Sequence, residues 1–437
     1  MRTDLSTHAP AGAPAGPRRR SGPVRRGGRP ATGFFSRLGV RELVLLGVIT
    51  AAGPLTIDLY LPAYPTLAEE FGVAETQIQL TLTACVLGLA LGQLVIGPVA
   101  DRVGRRLPVV VGLAGWGVSS LLVALAPTLE LMTVGRFVQG FVVSAGMVTA
   151  RAVLRDLSDG QDLARAFARL FLVVGAVPMV APFLGSLVLE VTSWRGVFVV
   201  LAVVGLVLAC VTFMLLPETL PASERRPVPV RSLGREYGRL LVDRDFIAPA
   251  LVAALAFSGL FVYINGSSFV LQEEYGLSQL SYGLVFALVT VSLITGSQMS
   301  SWLVARLGLL TVLRSAPVIG AVTIGGVAIA AASTGLPPLP VLIAGLVVAM
   351  GVVGMAMPAA SAHVLSGQPP ARAGLASGLV GVIQFAAGGA ISPLASAFGT
   401  VTPTTMTALM AVLFAASAGM AVLVREPDRD PADALSA

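Results

Sequence analysis

Asp58 stands in the run Ile57-Asp58-Leu59-Tyr60-Leu61-Pro62 and is the only acidic side chain inside any of this chain's long apolar stretches. A carboxyl in hydrocarbon costs roughly 2.5–3.5 kcal/mol on insertion scales, so it is kept where it faces a protein interior or an aqueous cavity. The chemistry open to a lone carboxyl is to take up and release a proton. Its charge state then depends on how dry its surroundings are and on any guanidinium nearby. Arg136 offers one, in the run Arg136-Phe137-Val138-Gln139-Gly140. Arg136 and Gln139 are three apart and share a helix face, and a guanidinium turns that face into the protein. Counted from the same side at 1.5 Å per residue, Asp58 lies roughly 16 Å deep and Arg136 roughly 9 Å. An arginine side chain spans much of that difference, and whether the two pair is open at this point. Pro62 has no N–H to bond the Asp58 carbonyl, which leaves polar backbone beside the carboxyl. Tyr60, Gln139, Tyr263, Asn265, Ser267 and Gln384 are candidate polar groups of a substrate cavity, where the tyrosine rings suit planar or amphipathic molecules. For each of them singly, packing is the competing role.

These residues sit in a chain built for lipid. Of 437 residues, 55% are hydrophobic and 12% charged, against about 25% charged in an ordinary soluble domain, and the mean hydropathy is +0.85. Twelve apolar runs recur, from 43–66 through 374–398 to 405–423, each long enough to cross a ~30 Å hydrocarbon layer as a helix. An all-α integral membrane protein follows, because helices satisfy their own backbone groups in lipid. All 29 basic residues are arginine. With the N-terminus inside, all but Arg136 and Arg195 fall in inward-facing segments, as the positive-inside rule requires. That predicts an even number of spans and two cytoplasmic termini. The net charge of +6 therefore reports topology rather than nucleic-acid binding.

Residues 1–40, rich in Pro, Gly, Ala and Arg, predict a disordered basic cytoplasmic tail in which Arg18, Arg19 and Arg20 flank the membrane. No cleavable secretory signal is recognisable, so the first span is expected to be an uncleaved anchor. Cys85 and Cys210 both lie in apolar runs, which implies neither a disulfide framework nor a zinc site. The two histidines are His8 in the tail and His363 near the end of the tenth run. With no HExxH, clustered metal ligands or phosphate-binding loop, an enzyme, a bound metal, another cofactor and ATP as power source are all disfavoured.

An offset of 204 residues relates two parts of the chain. Glu69-Glu70-Phe71-Gly72 returns as Glu273-Glu274-Tyr275-Gly276, Gly92 maps on Gly296, and Arg102 and Gly104 map on Arg306 and Gly308. The chain therefore divides into six-span halves at 41–216 and 246–424, a charged linker at 217–245 and a short cytoplasmic tail at 425–437. Parallel six-span halves describe the major facilitator architecture.

Three motifs resemble elements of that superfamily. Gly97-Pro98-Val99-Ala100-Asp101-Arg102-Val103-Gly104-Arg105-Arg106 is similar to its GxxxD(R/K)xGR(R/K) signature. Gly97 would let a helix approach closely, Asp101 would pair with an arginine or a helix N-terminus, and Gly104 permits the turn. Such a latch would hold the cytoplasmic side shut and release on rocking. The second copy has Ala305 in place of the acid. Arg136 through Gly140 resembles the RxxQG element. Pro178-Met179-Val180-Ala181-Pro182-Phe183-Leu184-Gly185-Ser186 looks like the antiporter motif GPxxGG, with Ala181 and Ser186 at two glycine positions. Its prolines kink the helix, and its small residues favour packing against the other half.

At a finer level, TIDLYLPAYP (56–65), ARAVLRD (150–156), LPETLP (216–221), YINGSSFVLQEEYGLS (263–278) and AGLASGLVGVIQF (373–385) resemble the Bcr/CflA drug-resistance group. The resemblance implies a twelve-span drug/proton antiporter of the bacterial plasma membrane, with Asp58 at its acidic position and Arg136 at its basic one. Its partners would be a small-molecule drug or antibiotic, protons and the bilayer, with no nucleic acid, and the protein is expected to be a monomer. Two other classes stay open: a proton-coupled symporter importing a metabolite, and a non-transporting membrane sensor.

Overall fold

Uncharged stretches rich in Leu, Val, Ala and Gly close their backbone hydrogen bonds within single helices, and the chain does so along its length. The computed structural model describes residues 40–158, 160–223, 225, 230–366, 370–391, 394 and 400–425. The tails expected at 1–40 and 425–437 lie outside these residues but for one position each. The elements are α1 (Val40–Asp58), a 3-10 turn (Leu61–Ala63), α2 (Tyr64–Phe71), α3 (Glu75–Val103), α4 (Arg106–Ala124), α5 (Leu129–Leu157), α6 (Gly160–Val191) and α7 (Trp194–Leu215). After them come α8 (Val230–Val242), α9 (Arg244–Phe269), one π turn (Val270–Glu274), α10 (Gln279–Leu307), α11 (Leu309–Thr334), α12 (Leu339–Ser366), α13 (Pro370–Ile391) and α14 (Pro403–Val422). Among the described residues, eleven segments are long and apolar enough to cross a membrane. The twelfth expected span is α13, apolar over Gly378–Ile391; most of 392–399, which would complete it, lies outside the described residues. Apolar side chains such as Leu122, Val322 and Ile329 stand 62%, 71% and 73% exposed on the outer helix faces, a surface suited to hydrocarbon rather than water.

The repeat has a structural counterpart. The bounds of α3, shifted by 204, are the bounds of α10. Gly104 and Gly308 close these two helices at φ +108° and +84°, a region that an L side chain enters only with strain. Helices α1–α7 pack together as one group and α9–α14 as another, and the groups meet where α3 lies on α13 and α6 on α10. The connecting stretch carries the short helix α8, whose Leu240 is buried. Side-chain caps start several helices: Thr128 accepts from Leu131 N–H at α5, and Ser278 from Ser281 N–H at α10. Each satisfies a donor that the first helical turn leaves open.

Close helix approach falls at other glycines than the one expected. A Cβ on Gly97 would meet only Val148, at 3.6 Å, an ordinary contact. Gly88 and Gly92 on α3 instead lie against the carbonyl oxygens of Phe137 and Phe141, and Gly140 on α5 lies against the carbonyl of Cys85. Backbone-on-backbone packing of this kind leaves no side chain able to move aside. Gly140→Ala is therefore expected to cost about 1–3 kcal/mol through overpacking, read as a lower midpoint of thermal unfolding in detergent, whereas Gly97→Ala should leave that midpoint nearly unchanged.

Candidate functional site

Pro54 lies inside α1, but the helix persists to Asp58 and stops there; Leu59 and Tyr60 form a turn before the 3-10 segment. The stop follows from Pro62 and Pro65, which remove two donors from what would be the next turn. Three side chains bind carbonyls around this break. Arg136 Nη1 donates to the Thr56 carbonyl at 3.0 Å. Ser268 Oγ donates to the Leu61 carbonyl at 2.6 Å, and Gln272 Nε2 to the Pro62 carbonyl at 3.2 Å. The break therefore joins α1 to α5 in its own group and to α9 and its π turn in the other. Gly185 of α6 packs directly on the Leu59 carbonyl, where any Cβ would collide.

Asp58 is 2% exposed, and its Oδ1 has no hydrogen-bond partner. It does not pair with Arg136. That guanidinium, fully buried, also donates to Gln139 Oε1 at 2.5 Å and lies over the Tyr60 ring at 4.2 Å and the Phe198 ring at 5.6 Å. Gln139 passes the connection on to Ser120 of α4 at 2.6 Å. The ring faces offer a cation what water would otherwise supply, and they hold Arg136 as a brace across α1, α4, α5 and α7.

Asp58 lines a cavity of about 380 Å³ between the two helix groups. Its walls are mostly apolar, with Met147, Met350, Met357, Phe257, Phe261 and Phe385 among them. The volume falls within the range of small-molecule sites. The cavity continues past Gln93 and Arg151 into a second space of about 340 Å³ lined by Asp101, Arg105, Arg155, Asp156 and Tyr237, at the arginine-rich end of the bundle. The opposite end is closed by hydrogen bonds between the groups. Tyr64 donates to Asn265 Oδ1 at 3.2 Å and Gln79 to the Asn265 carbonyl at 3.4 Å. Ser186 donates to the Gln279 carbonyl at 2.7 Å, and Glu75 accepts from Val401 N–H at 2.7 Å.

Of the six residues expected in the cavity wall, Tyr263 and Gln384 line it. The other four lie elsewhere, which corrects the expectation for this conformation. Tyr60 bonds Tyr64 and Thr81 under the Arg136 guanidinium, and Gln139 is held between Arg136 and Ser120. Asn265 belongs to the closed end, and Ser267 packs against the Tyr282 hydroxyl at 3.4 Å. Each is a buried polar group, and the nearest available partner lay within the helix packing.

The arginine-rich turn after α3 is bonded inside its own group, not across to the other. Arg105 pairs with Asp101 and, at 2.9 Å, with Asp156. Arg106 donates to the Phe213 carbonyl and covers the Phe213 ring at 4.7 Å, while Arg102 is exposed. Glu218, in the stretch after α7, accepts from the backbone N–H groups of Arg105, Arg106 and Leu220. It thus caps the start of α4. In the proline motif, Pro178 lines the cavity. Phe183 and Ser186 lie against Gly283 of α10, so this segment does pack on the other group. Arg151, Gln93, Glu218, Ser268 and Gln272 were not singled out in the sequence. The signal for Arg151 and Glu218 was their place in the ARAVLRD and LPETLP segments, and for Ser268 and Gln272 their place in YINGSSFVLQEEYGLS; Gln93 is an ordinary polar residue in a helix and gave none.

Residues 44–393 match the family model described as Major Facilitator Superfamily. The chain is 34% identical over 374 residues to YdgK of Bacillus subtilis, described as an uncharacterized MFS-type transporter, covering 85% of this chain and 91% of that one. It is 31% identical over 274 residues to a bicyclomycin resistance protein homolog of Haemophilus influenzae, covering 63% and 69%. Among solved structures, the nucleoside transporter NupG superposes with a TM-score of 0.71 at 14% identity, over 88% of this chain and 99% of that one. A bacterial homolog of the lysosomal transporter Spinster, inward-facing and unoccupied, superposes with a TM-score of 0.66 at 16% identity, over 90% and 95%.

Burial acts to raise the Glu218 carboxyl, but the three backbone donors and Arg225 outweigh it and hold the group below its ordinary 4.5. A depressed carboxyl contributes stability above its unfolded value and loses it as pH falls through the folded one. The unfolding midpoint should therefore drop as pH falls below about 4.5. Glu218→Gln should lower the midpoint at neutral pH and flatten its dependence across that acid range, measured by thermal unfolding in detergent.

Proposed function

Since the chain belongs to the Major Facilitator Superfamily, it is a multi-pass membrane transporter, and we propose that it is a proton-coupled antiporter exporting small amphipathic drugs or antibiotics by alternating access. The observation that carries this reading is the Asp58 carboxyl, buried with an unpartnered oxygen in the wall of the cavity between the two helix groups. The drug-resistance relative supports the cargo class. The arginine distribution supports two cytoplasmic termini in a bacterial plasma membrane, which makes the arginine-rich end cytoplasmic and the cavity inward-open. The protein works as a monomer, since each chain holds a complete pair of groups.

In the proposed cycle, Asp58 takes a proton while the cavity faces outward and releases it while the cavity faces inward, as cargo enters. Arg136 is its coupling partner. In the inward-open form it holds the Thr56 carbonyl, two residues from the acid, and after rocking it engages the carboxyl. Gly97, Asp101, Arg102, Gly104, Arg105 and Arg106 form the cytoplasmic latch. Their bonds are to the first group and to Glu218 of the connecting stretch rather than to the second group, as expected of an open cytoplasmic side. Pro178, Pro182 and Gly185 form the antiporter element, which keeps α6 on the α1 break. Tyr263 and Gln384 supply polar contacts in an otherwise apolar cavity that tolerates varied cargo.

Asp58→Asn should reach the membrane in normal amounts and lose proton-driven efflux, with the rate falling at least roughly tenfold to the level seen with an uncoupler. The assay is dye accumulation in an expressing strain, with and without a proton uncoupler. Normal uncoupler-sensitive export by this variant would refute the assignment. Uptake that the uncoupler abolishes would identify an importer instead.

A further inference from the structure

Arg151 projects from α5 into both spaces, lining the central cavity and the one that continues it toward the arginine-rich end. Its Nε is buried with no hydrogen-bond partner, and so is Nε2 of Gln93, which lines the same two spaces. Arg151 as a whole is half-buried, and its Nε points away from the space without a partner. The acids that line the same space, Asp101 and Asp156, are both taken by Arg105. Asp156 also accepts from Thr219 at 3.1 Å. The outer space thus carries Arg105, Arg151 and Arg155 against Asp101 and Asp156, an excess of one positive charge. In the second helix group and the connecting stretch, the described residues lining either space include Thr290, Ser361 and Gln384, and Tyr237 of α8, but no acid.

Asp58 is too far away to serve. Gly146 of α5 packs on Ile49 of α1; from that level Asp58 lies nine residues one way and Arg151 five the other in antiparallel helices. At 1.5 Å per residue they are roughly 20 Å apart along the axis. The cavity therefore has two separate polar ends joined by an apolar wall of methionine and phenylalanine.

We propose that Arg151, with the Gln93 amide, is an anion subsite that receives a carboxylate or phosphate group on the transported molecule. The proposal rests on the export reading and narrows its cargo to amphiphilic acids and zwitterions. A guanidinium forks onto two oxygens of such a group, and the Gln93 N–H₂ adds a third donor. The body of the molecule then lies along the Met and Phe wall toward Asp58.

Rhodamine B, with a free carboxylate, and its ethyl ester share a ring system and differ at the group in question. Equilibrium binding of each dye to the purified full-length protein is measured by fluorescence polarisation, and transport of each in phosphatidylcholine proteoliposomes bearing a proton gradient. Wild type should prefer the acid. Arg151→Gln should reduce the acid-to-ester preference roughly tenfold or more, and Arg151→Lys should keep most of it. Equal binding of the two dyes by wild type, or an unchanged preference in Arg151→Gln, overturns the subsite; the wild-type comparison decides even where the Gln variant fails to fold. Loss of the acid preference when phosphatidylglycerol is added would assign the site to a lipid headgroup and overturn the cargo assignment. Selective binding without transport would overturn the export reading and leave the subsite standing. Uncoupler-sensitive transport without preference would do the reverse.

Discussion

Carbonyl groups that lose their helical partners inside an apolar bundle must find donors, and the break after Asp58 sets that demand at the centre of this molecule. Side chains around the break meet part of it. Arg136 donates to the Thr56 carbonyl and Gln272 to that of Pro62, and Ser268 adds a second donor at the Leu61 carbonyl, which also accepts from Tyr64 N–H. Two of these three side chains come from the second helix group, so satisfying the broken backbone also fastens one end of the interface. The acid sits at the same break. Asp58 is the last residue of α1 and lines the cavity on the same helix face as Gly53, Pro54 and Ile57, so the break leaves it at the end of that face.

The two ends of the bundle differ in how they are held. At one end polar side chains bond from group to group, with backbone carbonyls as frequent acceptors. At the other the charged residues after α3 are satisfied within the first group and by Glu218 of the connecting stretch. An interface that is hydrogen-bonded across at one rim, bonded mainly within one group at the other and apolar between suits two packed bodies that exchange contacts. The exposed apolar helix faces stay outside that exchange and meet lipid.

Much of this was legible in the sequence. Composition and run length gave the class, and the offset of 204 residues anticipated the correspondence of α3 and α10 to the residue. The proline four positions after Asp58 marks its carbonyl as unbonded, but the first span is expected to run over 43–66, and the stop of α1 at Asp58 is not legible in it. What the sequence left undecided was pairing. Arg136 and Asp58 are close in depth, but an arginine among aromatic rings and free carbonyls has alternatives to a carboxylate, and Tyr60, Gln139 and Thr56 supplied them. The expected cavity residues failed for a related reason. Tyr60, Asn265 and Ser267 are polar at the right depth, but depth does not fix which way a helix face points. Gly97 looked like the contact glycine because of its motif, while the contact is made by Gly88, which carried no signal, by Gly92, known only from the repeat, and by Gly140, the last residue of the RxxQG-like element.

Gly185 lies with its Cα on the Leu59 carbonyl, and one residue on, Ser186 reaches the Gln279 carbonyl of the opposite group. This stretch of α6 is thus a rigid strut with one face on the peptide that follows the acid and the other on α10. While the Ser186 hydrogen bond holds, this short stretch of α6 touches both the turn after residue 58 and α10, so any parting of the two groups at this end begins beside the acid.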